Sequence, residues 1–195
     1  ELASEGLDNA LIAGTGVQAR YQARYLCENM KIKNLHLWGR DKQKVNKLIE
    51  DLSNIKANLV AEDDLESAVN SSRLIITTTS SKKPLIKSAW VQKGTHITAV
   101  GSDTHEKCEL DPNILAKADL VVADSLEQNL LRGEIHQAIK KVHIAENKVI
   151  EIGEIFDRSQ PGRTTPSQIS VADLTGVAIQ DLVIAESIYR AHLDI

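Results

Sequence analysis

Aromatic residues are scarce in this 195-residue chain, at 3%, with 2 Trp, 3 Tyr and 1 Phe. A buried core must then be built mainly from Ile, Leu, Val and Ala. Cysteine is scarce too: Cys27 and Cys108 are too few for a disulfide framework and point to a reducing cytoplasm. No apolar run approaches the ~20 residues that cross a bilayer, and no secretory signal is expected. The net charge of −4 leaves no basic face for a nucleic acid; Lys82-Lys83 and Lys140-Lys141 are isolated pairs that suit solvated loops or helix ends. Hydrophobic residues at 42% and charged residues at 26% are ordinary for a globular protein, and the length suits one domain, 1–195. The chain opens on Glu1 rather than Met, with a strand almost at once. That beginning predicts a piece whose upstream portion was removed or not recorded.

The most informative segment is Gly14-Thr15-Gly16-Val17-Gln18-Ala19. It follows the apolar run Ala10-Leu11-Ile12-Ala13 and opens an amphipathic stretch. Gly14 permits a tight turn, Gly16 lets backbone approach a pyrophosphate closely, and Ala19 lets the helix pack near its strand. The free N–H groups and the positive dipole end of the helix then face the anion.

Strand and helix signals alternate with short breaks along the rest of the chain. Strands are predicted at 10–13, 35–38, 58–61, 74–77, 97–100, 120–123 and 169–172. Helical stripes fall at Ala19, Ala23, Leu26, Cys27 and Met30, at Val45, Leu48, Ile49 and Leu52, and at Leu65, Ala68 and Val69. Ala178, Leu182, Ala185 and Tyr189 mark a long terminal helix. Residues 149–155 read as a strand or an extended segment, and 159–167 as a polar Pro/Gly loop. The pattern predicts an α/β fold of the Rossmann type: a doubly wound, mostly parallel sheet with helices on both faces.

Ligands of such sheets bind beyond the carboxyl ends of the strands. Those ends are 14–18, 39–41, 77–81, 101–103 and 124–125. After the second strand, where NAD-binding sites usually carry a carboxylate, stands Gly39-Arg40-Asp41. A guanidinium matches a 2′-phosphate, and Gly39 would clear room for it, so Arg40 favours NADP over NAD. Stacking of Arg40 on the adenine is the plainer alternative, and Asp41 is expected to cap the next helix. Asp103 ends the fifth strand and is the choice for proton transfer at an imine or amine nitrogen. Its plainer role is to cap a helix over 106–110. Asp103, His105, Cys108 and Glu109 resemble metal ligands, but their spacing matches no zinc pattern, and no metal is assigned. Lys107 is a solvated lysine or one that reaches cofactor or substrate carboxylate.

Six blocks together resemble the ornithine cyclodeaminase/μ-crystallin family. They are Gly-Thr-Gly-Val-Gln-Ala from Gly14, Leu-Trp-Gly-Arg-Asp from Leu37, and Thr-Thr-Ser-Ser-Lys-Lys-Pro-Leu-Ile from Thr78. Then follow Lys-Gly-Thr-His-Ile-Thr-Ala-Val-Gly-Ser-Asp from Lys93, Pro-Gly-Arg-Thr from Pro161, and Asp-Leu-Thr-Gly-Val-Ala-Ile-Gln-Asp from Asp173. The resemblance implies the NAD(P)-binding domain of an enzyme acting on amino or imino acids. It implies that Val17 and Gln18 meet the pyrophosphate and that Thr79 and Ser80 flank the cofactor. Val100, Gly101 and Ser102 would lie along it, with Lys107 near it and Leu174, Thr175 and Gly176 close to the nicotinamide. Asp103 falls in the family's acid/base position.

Ornithine cyclodeaminases look like Gly-Gly-Asp followed by Cys-Pro-Gly-Lys-Thr-Glu, whereas this chain has Gly101-Ser102-Asp103 and then Thr104-His105-Glu106-Lys107-Cys108-Glu109. They also tend to carry an acidic residue after the second strand, where Arg40 stands here. The family's other domain, which supplies substrate-carboxylate ligands and most of a homodimer surface, is expected to be missing from this chain. The resemblance therefore implies an NAD(P)H-dependent imine (ketimine) reductase, reducing a pyrroline- or piperideine-2-carboxylate to the L-amino acid. A redox-neutral ornithine cyclodeaminase is the first alternative, and a non-catalytic, crystallin-like NADPH-binding protein the second.

Overall fold

A computed structural model describes residues 1–193; the expected domain runs on to Ile195, and positions 194 and 195 lie outside the described residues. The chain begins with β1 (Asn9–Ala13), α1 (Val17–Asn29), β2 (Asn34–Trp38), α2 (Lys42–Asp51), β3 (Asn58–Glu62) and α3 (Leu65–Ser71). It continues through β4 (Leu74–Thr77), β5 (His96–Ala99), α4 (Pro112–Lys117), β6 (Leu120–Ala123), α5 (Leu126–Asn129) and α6 (Gly133–Lys140). β7 (Val149–Glu151), α7 (Ile152–Phe156), β8 (Ser170–Asp173) and α8 (Ala178–Leu193) complete it. The strands form one sheet in the order β3-β2-β1-β4-β5-β8-β6-β7. Every pairing is parallel. This is the doubly wound sheet that the alternation of signals predicts.

Strands of a parallel sheet are covered on both faces, so they read as unbroken apolar runs. Accordingly β1, β4 and β6 bury their short Ala, Leu, Ile and Val segments. Side chains alternate between the faces. Leu11, Ile75, Ile97, Val121 and Val171 pack under α3, α4 and α6. Ala10, Ile12, Leu35, Leu37 and Ile76 pack under α1 and α2. Truncating one fully buried residue of this set, such as Ile75, to Ala costs about 2–5 kcal/mol. At the opposite, amino edge, Asn9, Asn34 and Asn58 face one another in register across β1, β2 and β3. Their amides form a ladder with bonds of 2.9 and 3.1 Å.

Helix placement follows residue spacing. Ala19, Ala23 and Leu26 are the buried residues of α1, and half-buried Cys27 and Met30 extend the same contact. Asp41 caps α2, accepting the Gln43 and Lys44 N–H groups at 3.0 and 3.3 Å. Residues 149–155 divide into β7 and α7 at Glu151, whose backbone N–H is taken by Glu154 Oε2 at 3.0 Å. α8 departs from the expected one-sided stripe: none of its residues is buried, and Leu182 and Tyr189 are 62% and 63% exposed. Ile179, Val183, Ile184 and Ile188 spread its apolar surface beyond a single stripe. No helix among the described residues is long and apolar enough to cross a membrane.

Candidate functional site

The chain turns back at β1. From β1 it winds outward to β3, then returns to β4 on the other side of β1, which opens a crevice above the carboxyl ends of these strands. Ala13, Thr77, Ala99 and Asp173 are aligned across β1, β4, β5 and β8. With ~4.8 Å between neighbouring strands, the segments leaving β1 and β5 start roughly 10 Å apart. A staircase of backbone bonds holds this edge. Gly14 N–H donates to the Trp38 carbonyl, Thr78 to Ala13, Val100 to Thr77 and Leu174 to Ala99, at 2.8–2.9 Å.

A first cleft of about 330 Å³ lies over β1, β2 and β4, lined in part by Gly14, Gly16, Arg40, Lys44, Thr79 and Ser80. Gly14 has φ +137°, and a Cβ there would lie 2.2 Å from Thr78 Oγ1 and 3.0 Å from the Thr78 carbonyl oxygen. Glycine is needed for β4 to end this close to β1. A Cβ on Gly16 would meet nothing within 4 Å. Gly16 is the N-cap of α1 and offers no side-chain cap, so the first N–H groups of the helix are available to an anion. Arg40 is exposed at the rim, and capping of α2 engages the Asp41 carboxylate. Gly39 makes room for the glycine turn itself, because a Cβ there would come within 2.6 Å of Thr15 Cγ2.

A second, more open cleft of about 1020 Å³ adjoins the first across the start of α1. Gln18, Val100, Asp103, Leu174, Thr175 and Gly176 line one side, and apolar residues of α8 line the other. Gly176 has φ +88° and donates its N–H to Asp124 Oδ2 at 2.7 Å, tying this loop to the end of β6. Asp103 caps no helix: residues 104–106 form a bend and turn, correcting the expected helix over 106–110. The buried Ser102 hydroxyl closes the turn by donating to the Lys107 carbonyl at 2.8 Å. Lys107 Nζ donates to Asp103 Oδ1 at 2.5 Å, with the Asp103 side chain 53% exposed and that of Lys107 23%. Val17, Gly101, Ser102 and Lys107 lie outside both linings.

Asp103, His105, Cys108 and Glu109 diverge rather than converge. Cys108 is buried against the Glu134 carboxylate, and burial first, then that charge, pushes its thiol up to about 12. Glu109 points back beneath the clefts. Among the described residues no three His, Cys, Asp or Glu side chains are placed to hold one metal ion.

Beneath the two clefts lie three carboxyl groups that sequence patterns did not single out for this role. Glu109, Glu134 and Asp173 are at most 1% exposed. Glu109 accepts the Thr79 N–H at 2.5 Å through Oε1; its Oε2 accepts the Thr77 hydroxyl at 2.8 Å and the Gly101 N–H at 3.0 Å. Glu134 accepts the Glu109 N–H at 2.6 Å and the Leu110 N–H at 3.1 Å. Asp173 Oδ2 accepts the Ile135 N–H at 2.8 Å. Burial raises all three acidities' midpoints: Glu109 lies above the usual carboxylate range, Glu134 is pushed up to about 7, and Asp173 stands well above its usual value. Hydrogen bonds to Glu109 pull its value back down, whereas the Glu134 charge adds to the rise at Asp173. The available sequence signals were faint: Glu109 in a rejected metal set, Asp173 at a strand end, and Glu134 after Gly133, whose φ is +91°.

The fold and the crevice are those of a dinucleotide-binding α/β domain. The chain belongs to the ornithine cyclodeaminase/mu-crystallin family, whose sequence profile matches residues 2–194. It is 40% identical over 186 residues to an uncharacterized cyclodeaminase of Sinorhizobium fredii, covering 94% of this chain and 56% of that protein. Among solved structures it resembles an archaeal alanine dehydrogenase dimer with bound NAD, with TM-score 0.93, 33% identity, and coverage of 99% of this chain and 60% of that one. A Thermococcus litoralis Delta(1)-pyrroline-2-carboxylate reductase in complex with NADH and L-proline gives TM-score 0.93 at 27% identity, over 99% of this chain and 60% of that one. The chain spans about 56% of the length of the curated relatives it matches first.

Proposed function

We propose that this chain is the cofactor domain of an NAD(P)H-dependent imine reductase. It would reduce a cyclic imino acid, such as a pyrroline- or piperideine-2-carboxylate, to the L-amino acid. The single observation carrying this assignment is the juxtaposition at one sheet edge. The uncapped start of α1, with open space over Gly16, adjoins a cleft edged by the exposed carboxylate of Asp103. A bound dihydronicotinamide would supply the hydride that reduces the imine carbon. Val17 and Gln18, at the start of α1, hold the pyrophosphate, and the strand-end segments Thr79–Ser80, Val100–Ser102 and Leu174–Gly176 orient the two nucleosides. Asp103 gives a proton to the imine nitrogen or stabilises the protonated iminium by its charge. Lys107 holds that carboxylate in place.

Arg40 and Lys44 at the first cleft supply two cations to a 2′-phosphate while the Asp41 carboxylate is engaged elsewhere, which supports NADP. The solved relatives named above hold NAD or NADH. A protein of the relatives' length is needed for turnover, its other domain supplying groups for the substrate carboxylate. The archaeal alanine dehydrogenase dimer supports a homodimer. Net charge of −4 and two unpaired cysteines support a cytoplasmic protein acting on small molecules rather than nucleic acid.

The test is cofactor oxidation driven by Δ1-pyrroline-2-carboxylate in a protein of that length. Asp103→Asn should lower kcat by about 10²–10⁴ while cofactor affinity survives; full turnover in the variant would remove Asp103 from its role. The name of the 40% identical relative favours a second assignment, a redox-neutral cyclodeaminase. Ammonia release from ornithine with no net change in reduced cofactor would select it.

A further inference from the structure

We infer that Glu109 is a positioning residue: its carboxylate fixes the separation between the segment flanking the cofactor after β4 and the segment carrying Asp103 after β5. The inference rests on the reductase assignment above, and its test separates the two. Glu109 reaches neither cleft. Its two oxygens instead take three donors from two strand ends: Thr77 Oγ1 and Thr79 N–H after β4, and Gly101 N–H after β5. These are two consecutive exits from the sheet, one bearing Thr79–Ser80 and the other Val100–Asp103.

Gly101 shows that the junction was built around this contact. A Cβ there would fall 2.2 Å from the Thr79 carbonyl oxygen, 2.5 Å from Thr79 N and 2.6 Å from Glu109 Oε2. Glycine at position 101 thus lets the two exits close onto one carboxylate. A second carboxylate holds the first, since Glu134 takes the backbone N–H groups of Glu109 and Leu110. Residues 85 and 86 close the remaining side, both donating their N–H groups to the Glu109 carbonyl, at 2.7 and 3.1 Å.

Glu109 must act as an acceptor at both oxygens, because two of its three donors are backbone N–H groups that cannot reverse. A glutamine cannot satisfy that demand. Whichever way its amide turns, an NH₂ group faces the Thr79 or the Gly101 N–H. The expected result is displacement of one exit relative to the other, which moves hydride donor and proton donor out of their common geometry. Misplacement by an ångström in such a site costs on the order of 100-fold in rate.

The experiment compares wild type, E109Q and T77V in a protein of the relatives' length. It reads kcat and KM with Δ1-pyrroline-2-carboxylate, the isotope effect with 4-deuterated NADH, cofactor affinity by fluorescence, and thermal midpoint. E109Q should lower kcat per folded molecule by about 100-fold and raise the isotope effect. It should weaken NADH severalfold and leave the imine KM near wild type. T77V keeps the shape of a buried β-branched residue and removes one of three donors, so it should lie between. Wild-type kcat, isotope effect and cofactor affinity in both variants would overturn the inference, even with a lowered midpoint. Should E109Q fail to fold, T77V decides by the same readouts. Should the wild type turn over no imine, the reductase assignment fails instead, and an unchanged NADH affinity in both variants still overturns the role given to Glu109.

Discussion

Glu134 offers a sharp quantitative test of the buried carboxylates, because its ionisation should be visible in folding stability. It is 1% exposed, and burial above all pushes its carboxyl from the ordinary 4.5 up to about 7. Between about pH 5 and pH 7 the folded protein keeps a proton there that the unfolded chain has released. Stability therefore falls as pH rises through this window, and the contribution of this group is gone once the folded carboxyl ionises. Each pH unit is worth about 1.36 kcal/mol, so the loss between about pH 5 and pH 8 is on the order of 2.7 kcal/mol. His96 works in the opposite sense. Burial lowers it to about 3 from the ordinary 6.5, so the unfolded chain holds the extra proton, and stability rises by about 2 kcal/mol between about pH 5 and pH 6.5. Glu109 and Asp173, also raised by burial, add to the fall with pH, so the variant is needed to isolate the Glu134 contribution. E134Q removes the ionisation and leaves His96 in place. Urea unfolding followed by circular dichroism should find E134Q the less stable protein near pH 5, because its NH₂ group faces the Glu109 or the Leu110 N–H. By about pH 8 E134Q should have gained on wild type by about 2–3 kcal/mol, a shift of roughly 1 M in midpoint. A difference between the two proteins that stays constant across this range, or that runs the other way, would refute the assignment of a raised Glu134.

The two glycines of the first turn should fail differently. Gly14→Ala meets Thr78 at 2.2 Å in a left-handed conformation, so it should cost at least about 2 kcal/mol and lower the thermal midpoint. Gly16→Ala has φ −84° and open space, so its midpoint should stay within a few degrees of wild type while fluorescence titration shows at least tenfold weaker NADH binding. For Arg40→Ala, NADPH affinity should drop about tenfold or more with NADH nearly unchanged; equal losses for both nucleotides would mean that Arg40 meets the adenine or ribose rather than a 2′-phosphate.

Much of the fold was legible because a parallel sheet writes itself as apolar runs at fixed alternation with amphipathic helices. Positions 10–13, 74–77 and 120–123 read as strands for that reason, and Asp41 read as a cap because a carboxylate before an amphipathic stretch has one obvious set of donors. The helices flanking that last strand, within 111–119 and 126–141, carry no such signal, although Asp111 and Pro112 form a visible cap and first turn for α4. α4, α5 and α6 are short, at 6, 4 and 8 residues, and short helices carry too few turns for periodicity to stand out. α8 was legible as a helix, but the exposure of all its faces was not, since Ala178, Leu182, Ala185 and Tyr189 read as a stripe for burial. At the crevice, the placement of Gly14, Gly16, Gln18, Arg40, Thr79, Ser80, Val100, Asp103 and Leu174–Gly176 along the two clefts follows from strand order, whereas Val17, Gly101, Ser102 and Lys107 fall outside their linings. Glu109, Glu134 and Asp173 were not legible. Apart from Gly101, 8 residues from Glu109, their backbone donors lie 24 to 38 residues away along the chain and are brought in by the sheet, and a single sequence carries no sign of such pairings.

A crystal structure with NADH or NADPH bound tests the central claim most directly. The pyrophosphate should sit on the N–H groups at the start of α1 beside Gly14 and Gly16, with the nicotinamide between Val100–Asp103 and Leu174–Gly176. Density for the nucleotide on any other face of the sheet, or a nicotinamide turned away from Asp103, would contradict it.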